Sequence, residues 1–567
     1  MTVSELRIAR VLGAISVAGS LLFSSPVSAT EPAGDGIRLC STGYLPELAK
    51  TATVVGAGEG AATFSLLDSG TGMTVFTGVL GPARNSAATK EVARLADFSR
   101  FAVPGSYMMR VDGLPESEAF TIAPDTLNSS LRLVMLGFYN QRCGEAVSME
   151  WNGQTFSHPA CHTEDAWLDH YDPALAGQKK VATGGWHDAG DYGKYTVNSA
   201  ISCGIMLSAW ERNGDALSRL KLPIPESGGA IPDYLAEIKY NLDWMLTMQF
   251  QDGKVSHKLT PERFCIMGTM PQDDLQKRYF APWSKVATLD FAAVGCMAAR
   301  VFKPYDPAYA KQWEDAARMA WEAARGQPDV NPDLSAFHTG AYLAPAEVNM
   351  KWAVIEVALT FGEDYLTEAE RVLFAAVTDD ENRVFSVNWD WSNGYNLGLY
   401  SYLFSEKAKE KPLVLARLRR DLIGAADAIV ANHDAHAYGR GLSVYYWGCN
   451  GGVARTTMNL NAAYIISGDR KYLDAAFDQI AYLYGRNPFN RSFVSGDGIN
   501  PPMFLHHRPS AGDGIEPPWP GHLSGGPTPA ELDWFDITKS FRTNEIAINW
   551  DASLAYALSI FYDPAAQ

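Results

Sequence analysis

The hydrophobic pattern changes character once along the chain. Between residues 37 and about 124, apolar residues come in short runs set off by Gly, Pro, Asp and Ser. Ala62-Thr63-Phe64-Ser65-Leu66-Leu67 and Ser106-Tyr107-Met108-Met109-Arg110-Val111 are examples. Runs of this length and composition read as strands. Pro104-Gly105 turns the chain into the last clear one. Several such strands in so short a span predict a β-sandwich over 37–124.

From about residue 129 the spacing becomes helical. Asp233-Tyr-Leu-Ala-Glu-Ile-Lys-Tyr-Asn-Leu-Asp-Trp-Met-Leu246 places apolar residues at i, i+3, i+4 and i+7, with Pro232 suited to a first helical turn. A loose phrase recurs, an acidic residue, then Tyr, then an amphipathic run. It stands at Asp306-Pro-Ala-Tyr309, Glu363-Asp-Tyr365 and Gly468-Asp-Arg-Lys-Tyr472. The phrase is a rhythm of helical hairpins and not a strict repeat. Residues 129–567 are therefore expected to form one large all-α domain of paired helices closing into a ring. Long Gly/Pro-rich connections at one end would build a cleft.

The first residues depart from both patterns. Arg7 and Arg10 precede an apolar run, Val11 to Phe23, that is too short for a comfortable membrane span. Val27-Ser28-Ala29 then offers small residues for cleavage. Residues 1–29 read as a secretory signal peptide, with a mature start near Thr30. No later stretch reaches the roughly 18 unbroken apolar residues of a membrane helix. An exported protein with no membrane association, secreted or periplasmic, is expected.

Composition narrows the partners. The 567-residue chain carries a net charge of −17, which repels nucleic acid and anionic membranes. A neutral substrate is indifferent to that field. The aromatic share is 11%; aromatic rings stack on sugar faces and also fill large cores. The seven cysteines are too few and too scattered for a disulfide scaffold. Cys203 and Cys296 fall in apolar helical patterns and read as buried thiols.

Three loops carry the candidate chemistry. GGWHDAGDYGKY, residues 184–195, crowds Asp188 and Asp191 among glycines, with Trp186, Tyr192 and Tyr195 available to line a pocket. The two carboxylates could converge on one water molecule, or Asp188 could cap a helix with Asp191 as its partner. Ser492 to Arg508 is Gly/Pro-rich and ends with His506 and Arg508 two apart, so both can face one side of an extended segment. They could donate to hydroxyls and carboxylates, or belong to a solvated basic loop. Trp534 to Ala552 holds Asp536 and Glu545. Glu545 reads as opening an apolar helix whose dipole would favour its ionised form, unless burial outweighs it.

Together the three stretches resemble the hallmark segments of family 9 glycoside hydrolases, the cellulase E family. The two C-terminal stretches match the family's long spaced signatures at almost every required position. The likeness covers essentially all of the mature chain, including the immunoglobulin-like N-terminal domain of one branch. One departure is Asp551, where the family usually has Asn before Ala552. The resemblance implies an Ig-like β-sandwich followed by an (α/α)6 barrel, and hydrolysis of β-1,4-glucosidic bonds with inversion. It implies Asp191 as general base, Asp188 as holder of the water and Glu545 as general acid. Asp536 would raise the pKa of Glu545 through like charge. His506, Arg508 and Tyr192 would lie at the substrate. Trp389 or Trp391 and Trp447 sit in Gly/Asn-rich contexts suited to sugar stacking, with core packing the alternative.

Cys143, Cys161, His162 and His187 resemble a zinc site of the same branch. Two thiolates and two imidazoles leave no open position, which would make the zinc structural. A Cys143–Cys161 disulfide is the reading without the resemblance. Calcium is a further ion that family members bind, with no ligands assignable here. The expected protein is a monomeric endoglucanase acting on a β-glucan polysaccharide or cello-oligosaccharide. The alternatives are an exo-acting relative and a non-catalytic carbohydrate-binding protein, which intact Asp188, Asp191 and Glu545 argue against.

Overall fold

The computed structural model describes residues 31–58, 62–164, 166–329, 331–378 and 384–566. The expected signal peptide, 1–29, and the cleavage site near Thr30 lie outside them.

The N-terminal part is a sandwich of two four-stranded antiparallel sheets. One runs in the order β1 (Gly36–Arg38), β2 (Thr51–Val55), β6 (Val92–Asp97), β5 (Arg84–Asn85). The other runs β4 (Thr74–Val79), β3 (Thr63–Asp68), β7 (Gly105–Val111), β8 (Phe120–Ile122). The sheet thus gains Phe120–Ile122 after the strand that the sequence marks as the last clear one. Strand β2 is buried along its whole length, and its period of two explains why. Ala52 and Val54 join the sandwich core. Thr51 and Thr53 face the helical domain, where Arg486 donates to both hydroxyls at 2.6 and 3.2 Å. Thr53 Oγ1 donates in turn to the carbonyl of Ala437 at 3.0 Å.

Among the described residues, twelve longer helices follow. They are α1 (Asn128–Asn140), α2 (Thr196–Leu217), α3 (Asp233–Thr247), α4 (Lys285–Phe302), α5 (Pro307–Ala324), α6 (Ala346–Phe361), α7 (Glu363–Thr378), α8 (Tyr395–Leu403), α9 (Pro412–Ala435), α10 (Cys449–Ser467), α11 (Lys471–Leu483) and α12 (Ile548–Ser559). The recurring acid-Tyr phrase falls at three helix starts. At Asp306 its cause is visible, because the side chain caps α5 by accepting the N–H of Tyr309 at 3.0 Å, with Pro307 in the first turn.

Helices α2, α4, α6, α8, α10 and α12 form an inner ring, and α12 packs back on α2 to close it. The outer layer is α1, α3, α5, α7, α9 and α11. Burial separates the two layers. Every residue from Thr196 to Trp210, from Cys449 to Ala463 and from Ile548 to Ser559 is buried. Helix α5 buries one stripe only, as an outer amphipathic helix should. Cys203 and Cys296 sit fully buried in α2 and α4. No described helix is long and apolar enough to cross a membrane.

Two long connections matter for chemistry. The α1–α2 segment contains a hairpin of β9 (Val147–Trp151) and β10 (Gln154–His158), then the 184–195 stretch. It ends in β11 (Lys194–Tyr195), which pairs with β12 (Lys258–Pro261), itself paired with β13 (Arg278–Phe280). The α11–α12 segment contains the other two stretches.

Candidate active site and metal cluster

The three stretches meet in one irregular ladder. Ala189 pairs with Ala547, and His506 pairs with Glu545. Arg508 N donates to the carbonyl of Gly190 at 3.2 Å, and His506 N to that of Asn544 at 2.8 Å. Gly190 is required by this approach: a Cβ there would lie 2.0 Å from the carbonyl oxygen of His506.

Asp188 and Asp191 sit in a non-helical loop, so neither caps a helix. Asp188 is fully buried and both its oxygens are engaged. Asn198 Nδ2 from α2 donates to Oδ1 at 2.7 Å and the Tyr342 hydroxyl to Oδ2 at 2.6 Å. Burial, then the charge of Asp191, pushes its pKa up to about 8. Asp191 is held differently. Both of its hydrogen bonds fall on Oδ2, from Gly193 N at 2.8 Å and the Tyr195 hydroxyl at 3.1 Å. Among the described residues Oδ1 receives none.

Glu545 does not open a helix. It ends the short turn Phe541–Asn544 in an extended conformation, three residues before α12 begins. The favourable helix dipole expected at that position is therefore absent. Its carboxyl is held well above the usual carboxylate range by burial and by Asp191 and Asp188, with Arg508 opposing. The like charge comes from the two aspartates and not from Asp536. Asp536 instead pairs with Arg491 at 2.7 Å and accepts from Met503 N, Phe504 N and Asn544 Nδ2. It ties two loops together.

Other expected site residues divide. His506 is partly exposed beside the ladder, with Nδ1 bonded to the Thr538 carbonyl at 2.7 Å. Arg508 is buried and not part of a solvated loop. Its guanidinium donates to the carbonyls of Cys265 and Gly190, so it holds the loops that flank Asp191. Tyr192 points away from Asp191, towards His187 and His162, with ring centroids 4.8 and 5.5 Å apart; its hydroxyl bonds the Thr269 carbonyl. Trp186 is core, donating to Glu237. Trp389 is also buried and packs near Tyr400, so it is no stacking platform. Trp391 is partly exposed and lies edge-on to Tyr342, 5.1 Å between centroids. Trp447 is half exposed and meets exposed Phe541 at 5.3 Å. Nothing local in the sequence marks Tyr342, which reaches Asp188 from 154 positions away, or Asn198, in the first turn of α2.

Asp551 is buried in the first turn of α12. It accepts from Leu523 N at 2.7 Å and pairs with His522 Nδ1 at 2.9 Å. That segment also delivers Gly525 N to the carbonyl of Glu545 at 2.8 Å, so Asp551 supports the position of Glu545 from below.

Cys143, Cys161, His162 and His187 form a cluster able to hold a metal ion, one ligand atom from each lying within 4.8 Å of all the others. The thiols are free, so no Cys143–Cys161 disulfide forms. Cys143 Sγ is 3.8 Å from His162 Nδ1, Cys161 Sγ 3.9 Å from His187 Nε2, and the two ring nitrogens 3.3 Å apart. Tetrahedral bonds of about 2.0–2.3 Å require ligand separations of about 3.3–3.8 Å, so the four groups fit such an ion. Asp274 lies 3.7 Å from His162 Nε2, a carboxylate placed to orient that ring. Among the described residues this is the one such cluster, and calcium has no assigned ligands.

Comparisons with known proteins agree with this architecture. Residues 128–558 match the model of glycosyl hydrolase family 9, and residues 33–116 match that of the cellulase N-terminal ig-like domain. The chain is 43% identical over 533 residues to endoglucanase D of Acetivibrio thermocellus, covering 93% of this chain and 83% of that one. It is 33% identical to a xyloglucan-specific endo-beta-1,4-glucanase of Bacteroides ovatus, over 97% of each. The crystal structure of a metagenome-derived family 9 endoglucanase superposes with a TM-score of 0.85 at 30% identity, over 93% of this chain and 99% of that one.

Proposed function

The chain belongs to glycosyl hydrolase family 9, and from that premise we propose that it is an endo-acting β-1,4-glucanase that inverts the anomeric carbon. It is a glycoside hydrolase with an Ig-like sandwich on an (α/α)6 barrel. Two of its relatives carry names of endo-acting glucanases, which favours internal cleavage of a glucan over removal of end units.

Asp191 is the general base. A water oxygen attacks the anomeric carbon while its proton passes to the free Oδ1 of Asp191. Asp188, fixed by Asn198 and Tyr342, holds that water. The glycosidic C–O bond breaks as Glu545 gives its proton to the leaving oxygen. A base that works through water needs roughly 6.5–9.5 Å between itself and the acid. The acid must start protonated. The single observation that carries this reading is the environment of Glu545, whose carboxyl is kept protonated by burial and by the same two aspartates that form the base side. His506 spends its Nδ1–H on the Thr538 carbonyl, which leaves Nε2 to accept from a sugar hydroxyl, and the faces of Trp391, Trp447 and Phe541 suit stacking on sugar rings.

The Cys143, Cys161, His162 and His187 cluster suits zinc, whose four filled positions make it a tether and not a reagent. It would fasten the loop bearing Asp188 to the hairpin β9–β10. The protein is proposed to be exported and to act as a monomer on neutral glucan chains.

The test is hydrolysis of carboxymethylcellulose, xyloglucan and cello-oligosaccharides beside a Glu545→Gln control. A rapid fall in viscosity with mixed oligosaccharide products, absent in the control, is expected. Steady release of one small sugar with little change in viscosity would replace this reading with exo action. Binding without hydrolysis on any of these glucans would sink the enzyme reading.

A further inference from the structure

Both hydrogen bonds to Asp191 fall on Oδ2, which leaves only Oδ1 available to a water. We infer that Tyr195 and Lys258 are positioning residues, which together aim a hydroxyl proton at Oδ2 of Asp191 and so reserve Oδ1 for the attacking water. This inference rests on the proposed role of Asp191.

Tyr195 in β11 stands directly opposite Lys258 in β12. The Tyr195 hydroxyl has two partners. It accepts the main-chain N–H of Gly340 at 3.0 Å and lies 3.1 Å from Asp191 Oδ2. An N–H cannot accept, so the hydroxyl's single proton goes to the carboxylate. Lys258 fixes the other end of this chain. Its buried ammonium donates to the Gly340 carbonyl at 2.7 Å and to Thr339 Oγ1 at 2.9 Å. The cation thereby pins the residue whose N–H orients Tyr195. Its ammonium also lies 5.7 Å from the centre of the Tyr195 ring.

The sequence is built around this contact. At Gly193 a Cβ would fall 2.5 Å from the Tyr195 hydroxyl and 2.6 Å from Asp191 Oδ2. At Gly340 it would press on the Tyr195 ring at 3.0 Å. Both glycines keep the hydroxyl and the carboxylate together.

The charges around Asp191 set the stakes. Asp188, Glu545, His506 and Arg508 face it from the three stretches, Tyr342 from the loop before α6, and Tyr195 and Lys258 from the sheet. Burial draws Lys258 down to about 7, with the charge of Asp191 opposing.

The experiment compares Tyr195→Phe, Lys258→Met, the double variant and Asp191→Asn with the unaltered full chain. Tyr195→Phe keeps the ring, and its thermal midpoint checks folding. The expected result is kcat reduced roughly ten- to hundredfold with KM changed less than about threefold. Lys258→Met should lower kcat in the same way, with KM again changed less than about threefold, because it frees the Gly340 segment that orients the Tyr195 hydroxyl. The double variant should be little worse than Tyr195→Phe alone, because both act through one chain of contacts. A Tyr195→Phe variant with unaltered kcat, or one whose loss falls on KM alone, would overturn the inference while Asp191→Asn is inactive. An active Asp191→Asn would instead overturn the assignment of the base.

Discussion

Ile548 donates its main-chain N–H to the carbonyl of Asp188 at 2.9 Å. The first residue of the closing helix is thus bonded to the loop that bears both aspartates. Acid and base sides are tied through backbone, with Gly190 at the point of closest approach. Replacing Gly190 with Ala should push the His506 carbonyl outward. A loss of about 2–4 kcal/mol in stability and at least a hundredfold loss of kcat on carboxymethylcellulose are expected. Thermal unfolding and steady-state rates check both.

Glu545 should cost the protein stability. Its folded-state pKa lies above the unfolded value of about 4.3. The native state therefore binds the proton more tightly, and stability falls as pH rises from about 4.3 through the folded pKa. Glu545→Gln removes the titration. The variant should be inactive yet more stable than the unaltered protein at pH 7–8, with the gap closing near pH 4. Denaturant unfolding at several pH values measures it.

The Cys/His cluster should carry close to one zinc per chain. Chelation, or Cys161→Ser, should lower Tm by about 5–10 °C. Activity should fall with it, because His187 adjoins Asp188. Elemental analysis beside calorimetry is the check. An unchanged Tm after complete metal removal would reject the tether.

His433 links helix α9 to the sandwich interface. It lies 2.8 Å from Asp434 and 2.7 Å from Asp478, and Asp478 also pairs with Arg486, which bonds Thr51 and Thr53. Burial opposes the charge on His433, but the two aspartates outweigh it and raise its pKa to about 9. The stabilisation is complete below the unfolded pKa near 6.5 and is lost as pH rises through about 9. About 1–3 kcal/mol should disappear over that window. His433→Gln should flatten the decline in urea titrations.

The three catalytic stretches were legible because each gathers carboxylates or basic groups among aromatic residues, the first two in glycine-rich sequence, and the fold because helical and strand periods separate cleanly. The failures have local causes. Ile546 and Ala547 are apolar and extended, so the apolar run appears to begin at Glu545 although α12 starts at Ile548. Tyr192 follows Asp191 directly, but the chain bends there before β11 begins, and its ring packs on His187 and His162 of the cluster. Trp389 and Trp391 share composition and context, and the packing of Arg455 and Tyr400 against Trp389 separates them. Lys258 and Tyr342 lie far from the motifs in sequence, and tertiary approach alone brings them to the carboxylates.

Closure of the ring by α12 bears on how the molecule comes into being. Asn198 and Asn549, which touch across the α2–α12 seam, are 351 positions apart in sequence. Contacts of that span form late, since the intervening chain must be ordered first. The helices between can pair with near neighbours as synthesis proceeds, but the cleft gains its acid only when the final turns dock. Partial chains are therefore inert towards glucan, and the last step of folding is also the step that creates the enzyme.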